Sequence, residues 1–122
     1  MVDGAVAQAQ IVYHMLSKAA WEAVAAGGDY QAATLANEGF VHCTAEPWLL
    51  EQVANRFYRA EAGEWLILHI DLHQVAAPVR WEEADAHLFP HIYGPIAQQA
   101  VVQITPFPRH EDGTYSLPEA LR

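Results

Sequence analysis

The chain carries one cysteine, Cys43, so no internal disulfide can staple it. Cytosolic thiols stay reduced, whereas small secreted domains lean on disulfides, so a cytoplasmic location is expected. Basic side chains are scarce: six Lys plus Arg stand against fifteen Asp plus Glu, for a formal charge of −9. A phosphate backbone repels such a surface at long range, which argues against nucleic acid as a partner. No apolar run approaches the roughly 20 residues of a membrane helix. The opening Met1-Val2-Asp3-Gly4-Ala5 lacks the basic start of a signal peptide, and no membrane partner is expected. No histidine pair is read at His-x-x-x-His spacing and no cysteine pair at Cys-x-x-Cys spacing, so no metal is expected. A Gly-rich phosphate loop and a Ser nucleophile elbow are also missing.

What is present is apolar surface and histidine. Of 122 residues, 52% are hydrophobic, enough for a core without staples. That length suits one domain. Residues 1–9 read as a loose lead-in and 10–122 as a single α+β domain. Ile11 to Met15 alternates as a strand does, with Val12 and His14 on one face and Ile11, Tyr13 and Met15 on the other. Ser17 is a good N-cap for a helical stripe of Ala20, Trp21, Val24 and Ala25, which Gly27-Gly28 stops. A loop through Tyr30 leads to a strand over Gly39 to Cys43. Thr44 is expected to cap the clearest helix, with Pro47 in its first turn and Leu49, Leu50, Val53, Ala54 and Phe57 as its apolar stripe. Asn55 and Arg59 should face away from the core, and Arg56 should sit on the flank.

Trp65 to Ile70 is almost continuously apolar, as a central strand covered on both faces should be. Leu66, Leu68 and Ile70 are expected in the core with Leu50, Val53 and Phe57. Further strands are expected over Val79 to Glu82, over Ala100 to Phe107, and around Tyr115 to Leu117 after the Asp112-Gly113 turn. Helices and strands do not alternate regularly, which favours α+β over a doubly wound sheet.

Seven histidines exceed the six basic residues, and histidine is the side chain best suited to proton transfer near neutral pH. His14 closes the first strand. His42 sits where a strand runs into a helix start, whose N–H groups and dipole suit phosphate or carboxylate. Cys43 points the other way on that strand and is expected buried and inert. In Phe89-Pro90-His91-Ile92-Tyr93-Gly94-Pro95, two prolines and a glycine stiffen the backbone around His91 and Tyr93. The candidate catalytic residues are His42, His91 and Glu82. The candidate ligand-binding residues are His14, Thr44, Arg56 and Tyr93, the last as a stacking surface for a flat ring. His14, His42, His91 and Tyr93 are expected to share one cleft. His69 is expected to be a satisfied core histidine, and His73, His87 and His110 fall in expected loops.

Tyr13-His14, Gly39-Phe40-Val41-His42-Cys43-Thr44, Val53-Ala54-Asn55-Arg56-Phe57-Tyr58, Trp81-Glu82, Phe89-Pro90-His91-Ile92-Tyr93-Gly94, Asp112-Gly113 and Leu117-Pro118 resemble domain-of-unknown-function family 952. That family is remotely similar to the ADP-ribosyltransferase fold. The resemblance implies a small split, mostly antiparallel α+β structure with two main helices and a cleft between its sheets. It implies NAD as a substrate, with no covalently held cofactor, and an NAD-using transferase or NAD hydrolase. In that superfamily a first-strand polar residue contacts the adenosine-side ribose, a role His14 fits. A residue on a following strand seats the nicotinamide end, a region His42 occupies. A late acidic residue stabilises the ribosyl cation; here Gln98, Gln99 and Gln103 stand in that region, and Glu82 lies earlier. The alternatives are a non-catalytic module for a nucleotide or other small ligand, and a histidine-dependent hydrolase.

Overall fold

The computed structural model describes residues 10–122; the expected lead-in at 1–9 lies outside the described residues. In chain order the elements are β1 (Ile11–Ser17), α1 (Lys18–Glu22), α2 (Ala33–Glu38), β2 (Val41–His42), α3 (Pro47–Phe57), β3 (Trp65–Asp71), β4 (Val79–Ala84), β5 (His87–Ile92) and β6 (Val101–Phe107). They form two three-stranded antiparallel sheets, ordered β1-β3-β6 and β2-β5-β4. The fold is α+β, as expected.

The apolar run of β3 makes it the centre of the first sheet, packed on both faces. On one face Leu66, Leu68 and Ile70, with Val12 and Leu16 of β1, meet Val41 and Ile92 of the second sheet. On the other, Ile67 and Met15 meet Leu50 and Ala54 of α3, with Phe107 and Tyr115. This corrects one expectation: Leu50 packs against Ile67 and not against the Leu66–Leu68–Ile70 face. Val53 is only half-buried and Phe57 is 58% exposed. The stripe of α3 is broader than the surface it covers, and its C-terminal end hangs over open space. β6 forms the outer edge of this sheet and leaves Val102 and Ile104 exposed.

The Tyr13–Thr44 pair ties the backbone of the first sheet to the chain that leaves β2. Tyr13 donates its N–H to the Thr44 carbonyl at 2.7 Å, and Thr44 returns one to the Tyr13 carbonyl at 2.8 Å. Thr44 is therefore a bridge residue and not the cap of α3. Glu46 takes the N-cap position and Pro47 the first turn. The residue before a proline is driven to extended backbone, and Glu46 adopts it, with φ −115° and ψ 129°.

Other boundaries differ for local reasons. Ser17 caps α1 as expected, accepting from the Ala20 N–H, but the helix ends at Glu22 and short of Val24. Ala33–Glu38 is helical where a loop was expected. β2 is two residues long. Asn55 does not face away: its side-chain amide donates to the Tyr115 carbonyl at 3.0 Å and its oxygen accepts the Tyr115 N–H at 2.7 Å. The segment around Tyr115 is thus tied to a helix side chain, and only a single bridge, Arg109 to Tyr115, remains of the expected last strand.

β5 is the largest departure. Proline cannot donate to a ladder and rarely sits in a central strand, yet Pro90 lies in the middle strand of the second sheet. Its carbonyl accepts from the Cys43 N–H, just past the end of β2. N and C=O of one strand residue point to the same side, so the missing donor faces the side where the neighbour has stopped. The β4–β5 hairpin closes through Asp85 (φ 49°) and Ala86 (φ 66°), two positive-φ residues as a type I′ turn requires. Without a glycine or asparagine, that turn leaves no signature in the sequence.

Leu68→Ala should cost about 2–5 kcal/mol in chemical denaturation, since Leu68 is fully enclosed, while Phe57→Ala should cost under about 1 kcal/mol. Ala86→Gly should stabilise the chain by about 0.5–1 kcal/mol, read as a raised Tm, because glycine relieves the left-handed strain.

Candidate functional site

The sheets diverge from the Tyr13–Thr44 bridge, and α3 and the β4–β5 hairpin wall the space between them. The resulting cleft has a volume of about 940 Å³, within the roughly 300–1,000 Å³ of small-molecule sites. Its floor is apolar, including Met15, Leu16 and Leu50, and its polar groups are few and placed.

β1 carries His14 to the floor, where it is 8% exposed. Its Nδ1 lies 2.7 Å from the His42 carbonyl and its Nε2 lies 2.8 Å from the Tyr30 hydroxyl. The carbonyl can only accept, so Nδ1 carries the proton. Burial holds the imidazole neutral, lowering its pKa from 6.5 to about 4 against the opposing pull of the His42 carbonyl. Nε2 then accepts from Tyr30, whose hydroxyl burial keeps protonated by raising its pKa. Both ring nitrogens are engaged, so the polar atom this pair turns to the cleft is the Tyr30 oxygen. Tyr30 falls in an expected loop, and nothing in its local sequence marks it.

His42 and His91 face each other across β2 and β5, their ring centroids 5.1 Å apart. His42 is half-exposed and its Nε2 meets Glu38 at 3.2 Å, one turn back on α2 and its exit. His91 is nearly buried. Its Nδ1–H donates to Glu82 at 2.8 Å, and Phe40 stacks on its ring at 4.2 Å. Glu82 also accepts the Tyr93 hydroxyl at 2.5 Å. The Tyr93 and then the His91 hydrogen bond hold the Glu82 carboxyl below its ordinary pKa, and the same bond to Glu82 raises the Tyr93 phenol. Gly94, next to Tyr93, lies close to Ala77, where a Cβ would come within 2.7 Å of the Ala77 methyl.

The structure brings His14, His42, His91, Thr44 and Arg56 to the cleft wall. Glu82 and Tyr93 do not line it; they reach it through His91. Tyr93 does not offer a stacking face to the cleft, because it lies outside the cleft lining, and Arg80 lies over one face of its ring at 5.0 Å. Thr44 contributes backbone more than side chain, as its hydroxyl is enclosed without a partner. Arg56 stands at the mouth, paired with Asp85 of the hairpin tip at 2.9 Å. The exposed aromatic at the mouth is Phe57, which sequence periodicity assigns to the core. Cys43 is buried and its thiol pKa is pushed up by burial, so it stays a thiol. His69 is satisfied by Thr105 at 2.7 Å.

Two His-x-x-x-His spacings, His69 with His73 and His87 with His91, correct the reading that no histidine pair has metal spacing. Such a pair works on a helix, where both side chains share a face. Here His87 and His91 lie along an extended strand, about 13 Å apart, and His73 lies in the turn after β3. His87 is thus a strand residue and not a loop one.

Split antiparallel sheets around a histidine-lined cleft define a small α+β protein. The chain belongs to the family described as Protein of unknown function (DUF952), whose model matches residues 15–104 and so begins one residue past His14. It is similar to the crystal structure of protein CC0527 from Caulobacter crescentus, with 26% identity and a TM-score of 0.78 over 91% of this chain and 97% of that one. The solution NMR structure of CC0527 gives 25% identity and a TM-score of 0.68, over 90% and 92%. No curated protein matches the chain. Among the described residues, no helix is long and apolar enough to cross a membrane.

The neutral His14 sets a pH dependence. Its folded pKa lies below the unfolded value, so the unfolded chain binds more protons between those values, and stability falls as pH drops from 6.5 towards 4. The loss from this residue should reach about 3 kcal/mol. Urea denaturation at pH 7, 5.5 and 4 should show the gap between wild type and His14→Gln closing by that amount; a constant gap would count against a neutral His14.

Proposed function

We propose that the cleft takes NAD or a related nucleotide, and that the chain is an NAD-using protein of ADP-ribosyltransferase-like architecture, a transferase or a hydrolase. The observation that carries this reading is the cleft between two antiparallel three-stranded sheets with His14–Tyr30 on its floor and His42 on its wall. The Tyr30 oxygen suits a ribose hydroxyl as acceptor. Phe57 and Phe89 offer faces for flat rings. Arg56 suits a phosphate, in exchange for its surface pairing with Asp85, which is worth little in water. Cleavage of the nicotinamide–ribose bond passes through a cation-like sugar, and such chemistry depends on orientation and electrostatic support.

A second reading, a non-catalytic binding module on the same fold, draws on the carboxylates. Glu38 and Asp85 line the cleft but are paired with His42 and Arg56. Gln98, Gln99 and Gln103 occupy the region of the superfamily's late acidic residue.

Calorimetric titration with NAD, ADP-ribose and nicotinamide tests the ligand. NAD should bind, and Tyr30→Phe and His42→Ala should each weaken it about tenfold while circular dichroism stays unchanged. Unchanged affinity in both variants would leave a ligand cleft and remove the NAD assignment.

A further inference from the structure

The polar groups of the cleft fall into two sets. His14 has no nitrogen left to give: one is held by a carbonyl and the other by Tyr30. His91 differs. Its Nδ1–H is committed to Glu82, which fixes the tautomer and places the acceptor lone pair on Nε2. Among the described residues Nε2 has no hydrogen-bond partner, and it is not fully enclosed, so it keeps contact with solvent. His91 is a wall residue of the cleft. Phe40 stacked on one face, the cross-strand His42 and the stiff backbone of Pro90 hold the ring in place. Tyr93, donating to the same carboxylate oxygen, anchors Glu82 in turn. The charged and titratable groups around the ring are Glu82 and Arg80 from β4, Tyr93 after β5, His42 from β2 and Glu38 from α2.

We infer that His91 is a general base that activates water in the cleft, with Glu82 as its positioning residue, so that the bound nucleotide is hydrolysed. The inference rests on NAD as the ligand and deepens that reading. The water oxygen forms a bond to the ribose C1′ as the bond from C1′ to the nicotinamide nitrogen breaks. The bonding pair stays with that nitrogen and neutralises its positive charge, so nicotinamide leaves neutral. The water proton goes to His91 Nε2 and from there to solvent. The products are ADP-ribose, nicotinamide and one proton, and no oxidant or further reactant is needed. A held base with an orienting carboxylate contributes typically about 10²–10⁴-fold.

The test separates binding from turnover. NAD affinity is measured by calorimetry, and nicotinamide release by chromatography, for the full chain and for His91→Gln and Glu82→Gln, with thermal unfolding as a fold check. Wild type should bind NAD and release nicotinamide. His91→Gln should bind within about threefold of wild type and lose release by about 100-fold or more. Glu82→Gln should lower kcat about tenfold or more with KM little changed, a split that a merely structural role does not produce; if His91→Gln fails to fold, this variant decides. NAD bound without nicotinamide release by wild type, or release retained in the variants, overturns the base and leaves the ligand reading standing. No binding of NAD overturns both.

Discussion

Two backbone hydrogen bonds between Tyr13 and Thr44 set the geometry of the molecule. They join the edge of β1 to the chain that leaves β2, and they are the point from which the two sheets open. β2 is the edge strand of its sheet and the His42 carbonyl points away from β5, so it has no strand partner on that side. His14, next to Tyr13, fills the vacancy with its Nδ1–H. A buried carbonyl without a donor would cost about 1–3 kcal/mol, and the histidine removes that cost while closing the floor of the cleft. The same short junction thus fixes the tautomer of His14 and, through its Nε2, the hydrogen bond to Tyr30.

Two of the histidines of the cleft, His14 and His91, show how environment divides labour between identical side chains. His14 is enclosed, fully bonded and neutral, so it behaves as part of the scaffold. His91 is bonded on one side only and turns the other nitrogen outwards. Their difference arises from what each meets at Nε2: a phenol for His14, open space for His91. The carboxylate that orients His91 is itself held by a second donor, so the arrangement is rigid two residues deep.

Much of the first sheet was legible because its signals are local. Two-residue alternation in β1 and the apolar run of β3 leave few alternatives, and Ser17 caps where a cap was expected. The second sheet was harder to read. β5 contains a proline, and its hairpin turns on Asp85-Ala86, which lacks the usual glycine signature. Pro90 is tolerated only because β2 ends beside it, a fact about the neighbour that no reading of the segment itself contains. The site followed the same division. His14, His42 and His91 stood out as residues, and the structure brings them to one cleft. Tyr30 carried no signal, and Phe57 carried a misleading one, since helical periodicity identifies an apolar stripe but not where its cover ends. Asn55 looked like a solvated helix residue because its partner, the Tyr115 backbone, lies 60 positions along the chain.

The outer edge of β6 has a consequence for how the chain behaves in solution. An edge strand presents backbone donors and acceptors to any strand that approaches, and natural edges are often guarded by charge. Here Val102 and Ile104 are exposed along that edge, and no Lys, Arg, Asp or Glu lies within β6. The guard is therefore the charge of the whole molecule, −9, acting at a distance. Such repulsion is screened beyond about 8 Å at physiological ionic strength and fades as carboxylates take up protons. Colloidal stability in this fold is a property of the medium as much as of the sequence, and acid or concentrated salt exposes an adhesive edge that dilute neutral buffer conceals.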